Sequence, residues 1–176
     1  MARSSRGNPS LGDILRSVLV LGGALAVVAV VFNLLNESEP RLPEPVDYSA
    51  ALEVARAEYG YPVLAPGDLP QGWRATSVDF AQEAGGDRWR LGFLTEDEQY
   101  VGLRQSDGEI EAYRDEHLDG FTADGESTVD GTRWTRMIED GNAPDRALVR
   151  VHDGAITIVM GTMSYASLEQ FTARLR

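Results

Sequence analysis

The sequence predicts an α+β fold, in which helices pack on one antiparallel sheet, preceded by a transmembrane helix. Short segments of alternating apolar and polar residues predict strands, and the Asp-Gly pairs between several of them are typical of tight hairpin turns. Segments with apolar residues at helical spacing occur before, between and after these strands. A separate apolar run near the beginning of the chain is long enough to cross a bilayer.

The apolar run covers residues 14–35 and contains no charged or polar side chain from Val18 to Phe32. A helix of this length rises roughly 33 Å, which is close to the thickness of the hydrocarbon core of a bilayer. A cleaved signal peptide is the alternative, because Ala24-Leu25-Ala26 fits an A-x-A cleavage site. The run continues well past that site, which favours a retained span that contacts the lipid bilayer through residues 14–35.

The charges on either side of the span predict its orientation. Three arginines and one aspartate lie within residues 1–17, whereas acidic residues dominate directly after the span. Cytoplasmic flanks carry the excess of basic residues, so the N-terminus is expected in the cytoplasm and the rest of the chain outside the cell membrane. The predicted organisation is a cytoplasmic tail at 1–13, the span at 14–35, a Pro-rich linker at 36–46 and an extracytoplasmic α+β domain at 47–176.

The composition excludes several kinds of chemistry for the outer domain. Residues 36–176 contain 13 arginines and 27 acidic residues, and the net charge of the whole chain is −12. Such an acidic domain is not expected to bind nucleic acid or an anionic lipid surface. The chain contains no lysine and no cysteine, which excludes lysine Schiff bases, thiolate catalysis and disulfide bonds.

The first part of the domain is predicted as a helix, an irregular segment and three strands. The helix runs from Asp47 or Ser49 to about Tyr59, and the Pro-rich segment at 60–73 is expected to lie across the sheet. Strands are predicted at 73–80, 88–95 and 100–105. The second of these alternates most cleanly, with Trp89, Leu91 and Phe93 on one face, and we expect that face to point into the core.

The second part is predicted as a helix, four strands and a final helix. The helix covers 109–118 and has Ile110, Tyr113, His117 and Leu118 on one face. The strands cover 127–129, 133–139, 146–152 and 155–162. Asp-Gly pairs at 130–131, 140–141 and 153–154 are expected to form hairpin turns, because Gly and Asp tolerate the positive φ that both turn positions need. The final helix is capped by Ser164, and its predicted apolar stripe is Tyr165, Leu168, Phe171 and Leu175.

No set of residues in the sequence has the spacing of a known catalytic or metal-binding motif. His117 and His152 are the only histidines, and neither has a suitably spaced partner. Acidic runs at 96–98, 107–111 and 119–126 contain enough carboxylates to bind calcium, but none has EF-hand spacing, and we expect a solvated acidic surface. The sequence therefore predicts no catalytic, cofactor-binding or metal-binding residues, and no enzyme activity.

Several segments resemble a known family. They are the early span, YPVLAPGDLPQGWRATS at 61–77, W-R-x-G-F at 89–93, TVDGTRW at 128–134 and ALVRVHDGAITIVMGTMSYASLEQF at 147–171. Together they resemble an uncharacterised actinobacterial family of membrane-anchored proteins, domain of unknown function 4245. The resemblance covers most of the chain from Ile14 onward. It implies a membrane anchor, but it implies no activity and no site residues.

Three functions are compatible with these observations. The first is a single-pass envelope protein whose outer domain binds a partner, such as another envelope protein. The second is a carrier or sensor that binds a small apolar or cell-wall-related ligand in a cleft lined by Trp73, Trp89 and Trp134. The third is a hydrolase, which would need two carboxylates about 5–9 Å apart in a cleft.

The length of the apolar run gives a first testable prediction. We expect the membrane-extracted protein to retain residues 14–35, because the run does not end at the A-x-A site. N-terminal sequencing of the extracted chain measures this directly. A mature chain that begins near Val27 would contradict the prediction and would identify the run as a signal peptide.

Overall fold

The computed structural model describes residues 44–83 and 85–176, and the predicted tail, the span and most of the linker lie outside them. The helices are α1 (Ser49–Glu58), α2 (Ile110–His117) and α3 (Tyr165–Thr172). The strands are β1 (Arg74–Glu83), β2 (Gly86–Leu94), β3 (Tyr100–Ser106), β4 (Phe121–Val129), β5 (Thr132–Glu139), β6 (Arg146–His152) and β7 (Ala155–Gly161). No helix within the described ranges is both long and apolar enough to span a membrane.

The strands form one antiparallel sheet, which confirms the predicted α+β class. Their order is β1-β2-β3-β7-β6-β5-β4, and every neighbouring pair is antiparallel. The last strand, β7, lies between the two groups of consecutive strands and joins them into a single sheet. All seven of its residues are buried, since the central strand is covered on both faces.

One face of the sheet, which we call the core face, carries the main hydrophobic core. Trp89, Leu91 and Phe93 of β2 all point to it and are at most 2% exposed, so the predicted orientation of this strand is confirmed. The indole Nε1 of Trp89 donates a hydrogen bond to the carbonyl oxygen of Leu64 at 2.9 Å. Trp89 therefore both fills the core and satisfies the backbone of the segment that packs above it.

The irregular segment at 59–73, which the sequence predicts to lie across the sheet, covers part of the core face together with α1 and α3. The segment buries Tyr61, Val63 and Ala65 against the sheet. A buried side chain of β3, Gln105, accepts a hydrogen bond from the Leu64 amide at 2.7 Å and donates one to the Pro62 carbonyl at 3.2 Å. These bonds satisfy backbone polar groups of the segment, which has no helix or sheet hydrogen bonds to satisfy them.

A polar cluster on the core face holds α3 to β4 and β5. Oε1 of Glu169 accepts hydrogen bonds from the Ser127 hydroxyl and from the Arg136 guanidinium, both at 2.6 Å. The hydrogen bond from Ser127 has the largest effect, followed by that from Arg136, and together they hold the pKa of Glu169 below its usual value. The same guanidinium lies 4.7 Å above the ring of Tyr165. The final helix is therefore fixed by directional contacts as well as by apolar packing.

The fourth strand is longer than the sequence predicts. It begins at Phe121, whereas the sequence predicts only 127–129 as strand and 119–126 as an acidic loop. β4 is an edge strand, and residues 122–126 are exposed, so no apolar alternation marks them. Backbone pairing with β5 forms the strand instead, and a bulge between Ala123 and Glu126 interrupts this pairing at Gly125, whose φ is +90°.

The turn predictions hold at two of the three Asp-Gly pairs. Asp130-Gly131 and Asp153-Gly154 have positive φ at both positions, as a two-residue hairpin requires. At Asp140-Gly141 only the glycine has positive φ. Here the connection is longer and closes through a hydrogen bond from the Glu139 amide to the Asp145 carbonyl at 3.0 Å. The final helix also ends earlier than predicted, at Thr172.

The burial of Trp89 gives a second prediction. Replacing Trp89 with Ala should lower the free energy of unfolding of residues 44–176 by about 3–5 kcal/mol, because it leaves a large cavity and an unpaired Leu64 carbonyl. The matched control is Phe80→Ala on the neighbouring strand. Phe80 is 42% exposed, so its loss should cost about 1 kcal/mol or less. Chemical denaturation measures both, and equal costs would show that Trp89 is not a core residue.

Candidate functional site

The second face of the sheet, which we call the groove face, is only partly covered. A single helix of eight residues, α2, packs on it. Its Ile110 and Tyr113, together with Leu118 directly after it, join an apolar cluster with Ile156 and Ile158 of the central strand. This cluster is separate from the main core. The strands on either side of α2 therefore present part of this face to solvent.

A groove of about 700 Å³ lies between α2 and the strands β4, β5 and β6. Its buried floor consists of Leu118, Val149 and Ile156. Ile110, Phe121 and Met137 form its half-buried walls. An apolar depression of this size lies within the range of small-molecule binding sites, which is roughly 300–1,000 Å³.

Two arginines also extend into the groove, in a chain that is acidic overall. They are Arg114 of α2 and Arg133 of β5. Arg133 is 77% exposed and lies 3.6 Å from Glu126, and Arg114 contacts Glu111 and lies 3.7 Å from Asp115. Exposed ion pairs of this kind contribute little free energy. These guanidinium groups can therefore exchange their partners for the acidic group of a ligand at little cost.

The groove is not the tryptophan-lined cleft that the sequence suggests for a carrier. Trp89 and Trp134 are buried on the core face, at 0% and 4% exposure. Trp73 stacks on Phe171 with ring centroids 5.8 Å apart and borders a smaller depression of about 260 Å³. None of the three lines the groove. Tryptophans fill apolar interiors more often than they line ligand sites, and that is the role of two of them here.

The two histidines have different surroundings. His152 is exposed, and its Nε2 lies 3.1 Å from the Asp153 carboxylate. His117 is half-buried, and its Nε2 lies 3.0 Å from the guanidinium of Arg90. Arginine can only donate hydrogen bonds, so Nε2 must accept and the imidazole is neutral. Burial, then the positive charges of Arg104 and Arg90, lower the pKa of His117 to about 4.

The acidic runs lie on the surface, as expected. The side chains at 96–98, and Asp107, Glu109 and Glu111, are all exposed. In the described part of the chain, no three acidic or histidine side chains are grouped so that they could hold a metal ion. The groove lining contains no histidine, and its hydroxyl group is that of Thr135.

The sequence identifies half of the groove. It predicts the apolar stripe of α2, but it does not pair that stripe with Val149 and Ile156, whose long-range register follows from the tertiary fold. In β7, one face carries Ile156, Ile158 and Met160, and the other carries Ala155, Thr157 and Val159. Both sets are mainly apolar, and this pattern indicates a strand that is covered on both faces.

Comparison with known proteins gives a match to a family. The model of a family described as a protein of unknown function (DUF4245) matches residues 6–175 of the chain. No curated protein and no solved structure matches it.

The environment of His117 gives a third prediction. Its folded-state pKa should be about 4, below the ordinary value of 6.5, so the unfolded chain binds this proton more readily. The contribution of neutral His117 to stability should therefore be complete above pH 6.5 and be lost as the pH falls towards 4. NMR titration of the imidazole, with denaturation midpoints across that range, measures both effects.

The control for this titration is His152. Replacing His117 with Gln should flatten the decrease in stability between pH 6.5 and pH 4, whereas His152→Gln should leave the decrease unchanged because His152 is exposed. A folded-state pKa near 6.5 for His117 would contradict the prediction.

Proposed function

Because the chain belongs to the DUF4245 family, whose description assigns no function, we propose its function from the groove. The proposal is a membrane-anchored, extracytoplasmic binding domain without catalytic activity. Its groove binds a small amphipathic molecule that has an apolar body and an acidic group. The observation that carries this proposal is the apolar groove of about 700 Å³, into which two arginines also extend.

The apolar floor supports binding of the body of such a ligand. Leu118, Val149 and Ile156 are already buried, while Phe121 and Met137 are half-buried in the free protein. A ligand that covers these walls removes apolar surface from water, which contributes about 25 cal/mol for each Å² buried. The unbranched, polarizable side chain of Met137 adapts readily to ligands of different shape.

The charge of the lining supports binding of the acidic group. The chain carries a net charge of −12, so an anion is repelled by most of the domain surface. Arg114 and Arg133 make the groove a local exception. The planar guanidinium group binds a carboxylate or a phosphate through two parallel hydrogen bonds. The same charges disfavour a cationic ligand.

The absence of catalysis is proposed from the polar groups that the described residues bring together. Nε2 of His117 already contacts Arg90, on the side of α2 away from the groove, and His152 lies beside Asp153. Neither histidine therefore lies beside Thr135, whose hydroxyl lines the groove. A nucleophile needs an adjacent base or a lowered pKa to react at neutral pH.

The location is proposed from the sequence. The apolar run at 14–35 anchors the chain, and the arginines before it place the domain outside. Pro40, Pro43 and Pro45 favour an extended linker between the anchor and the domain. A domain outside the membrane has access to lipids and to cell-wall intermediates, both of which include amphipathic acids.

A partner protein of the cell envelope is the second candidate occupant. Val151 is 54% exposed at one end of the groove, which leaves apolar surface beyond what a small ligand needs to cover. An apolar segment of a partner, with an acidic residue near it, fits the same surface and the same arginines. The two candidates differ in whether a small acid alone is sufficient to fill the groove.

The fourth prediction tests the groove with decanoate as the probe and methionine methyl groups as reporters. Decanoate should shift the methyl NMR signal of Met137, which lines the groove, and leave that of Met163 unchanged. Met163 is 3% exposed in the core on the opposite face. Decanol, which lacks the acidic group, should bind at least several-fold more weakly. The measurement uses residues 44–176 below the micelle concentration of either probe.

The matched variants are neighbours on one strand. Ala123→Trp fills the groove and should abolish the Met137 shift, whereas Thr122→Trp changes a residue that does not line the groove and should leave the shift intact. Equal loss in both variants, or no shift with the wild-type domain, would contradict the small-ligand proposal. A photo-crosslinker at position 151 that then captures a defined envelope protein in intact cells would support the second candidate.

A further inference from the structure

A second cluster of positive charge lies on the groove face, on the other side of α2. Arg90 of β2 and Arg104 of β3 are directly opposite one another in the register of these strands. Their side chains point to the groove face, because Trp89, Leu91 and Leu103 point to the core face. Like charges directly opposite each other on neighbouring strands destabilise a sheet. Such a pair is therefore unusual unless a ligand or partner uses it.

The partners of these two arginines do not neutralise them. The guanidinium of Arg90 contacts the neutral imidazole of His117 at 3.0 Å, and that of Arg104 contacts the thioether sulfur of Met160 at 3.1 Å. Among the side chains of residues 44–82 and 85–176, no carboxylate oxygen lies within 4 Å of either guanidinium. A thioether is a weak acceptor. In the same described part of the chain, the buried Nε of Arg90 has no hydrogen-bond partner.

The nearby acidic groups form no ion pair with these two arginines. Asp79 is opposite Arg90 in the register of β1 and β2, but its carboxylate lies 3.3 Å from Arg88. Glu116 is next to His117 on α2, is exposed and lines the same depression as Arg90. Burial is the first cause of the lowered pKa of His117, and the charges of Arg104 and Arg90 add to it while that of Glu116 opposes it.

The surface next to the arginines has two features, a depression of about 250 Å³ lined by Arg90, Tyr113 and Glu116 among others, and a pair of glycines. Gly92 and Gly102 are opposite each other, one row of the sheet away from Arg90 and Arg104. The ring of Tyr100 lies over this glycine pair, and a Cβ atom at Gly102 would be 2.9 Å from its hydroxyl oxygen. Only glycine permits this position of the ring. A hydroxyl donor is thereby brought close to the arginine row.

We propose that Arg90 and Arg104, with His117 and Tyr113 of α2, form a binding site for a phosphate group. Two guanidinium groups match the charge of a phosphate dianion, and their planar donors match its oxygens. A bound phosphate accepts the hydrogen bond that Nε of Arg90 lacks and removes the repulsion between the two strands. The source of the phosphate is either a soluble phosphate compound or the headgroup of a membrane lipid. Helix α2 separates this site from the groove, so the two proposals are independent.

The fifth prediction tests this site in the full chain, held in nanodiscs of phosphatidylcholine. Equilibrium dialysis with radiolabelled inorganic phosphate at pH 7 and constant ionic strength should show saturable binding of about one phosphate per chain. Arg104→Gln should weaken this binding at least about tenfold, and Arg104→Lys should weaken it less, because lysine keeps the charge but loses the planar fork. The matched control is Arg174→Gln, which removes an equal charge beside Asp68, far from the site in sequence and fold.

Stability in chloride separates a ligand site from a structural role. Arg104→Gln should unfold at the same or a higher temperature than the wild type in chloride, because it removes repulsion from Arg90. Phosphate should raise the unfolding temperature of the wild type but not that of this variant. A binding site also predicts that phosphate raises the pKa of His117, which a structural role of Arg104 does not. Absence of saturable binding, equal loss in Arg174→Gln, or equal displacement by acetate would overturn the proposal.

A further arm distinguishes the two sources of phosphate. Nanodiscs in which phosphatidylglycerol replaces part of the phosphatidylcholine should reduce binding of radiolabelled phosphate if a lipid headgroup fills the site. Unchanged binding in these discs would assign the site to a soluble phosphate compound.

Discussion

One short helix packs on a whole face of a seven-stranded sheet that is much wider than the helix, and the main features of the domain depend on this mismatch. With about 4.8 Å between strands, the sheet is roughly 29 Å wide. Helix α2 has eight residues, so it is about 12 Å long and about 10 Å across. It covers the central strand and its near neighbours and leaves both flanks of the face open. The open flanks are the groove and the arginine cluster.

The core face of the sheet is covered by a longer part of the chain. Two helices and the irregular segment at 59–73 extend over it, so Trp89, Phe93 and Leu103 are completely buried. The irregular segment has backbone groups that no ladder satisfies, and the side chain of Gln105 and the indole of Trp89 supply those bonds. A buried glutamine in this position is stabilising because its polar groups are paired. The rigid core face in turn fixes the strands whose opposite sides form the candidate sites.

Electrostatics divides the surface of the domain into two kinds of region. Exposed carboxylates dominate most of it, in keeping with the net charge of −12. Arginines lie on the groove face on both sides of α2. Arginine holds its charge at any physiological pH, so these positions stay cationic. A surface of this kind repels anions in general, and the two proposed sites are the local exceptions.

The sequence by itself determined the features that depend on local periodicity. It predicted the α+β class, the antiparallel pairing, the inward face of β2, the Ser164 cap and two of the hairpin turns, because each depends on residues close together in the chain. The predicted span at 14–35 rests on the sequence alone, since it lies outside the described residues. Only the tertiary structure decided the strand order, the edge strand β4 and the opposition of Arg90 and Arg104. It also decided the groove, whose walls come from α2 and from strands as distant as β4 and β7. The physical reason is that register and coverage are set by packing between distant segments, which no local pattern encodes.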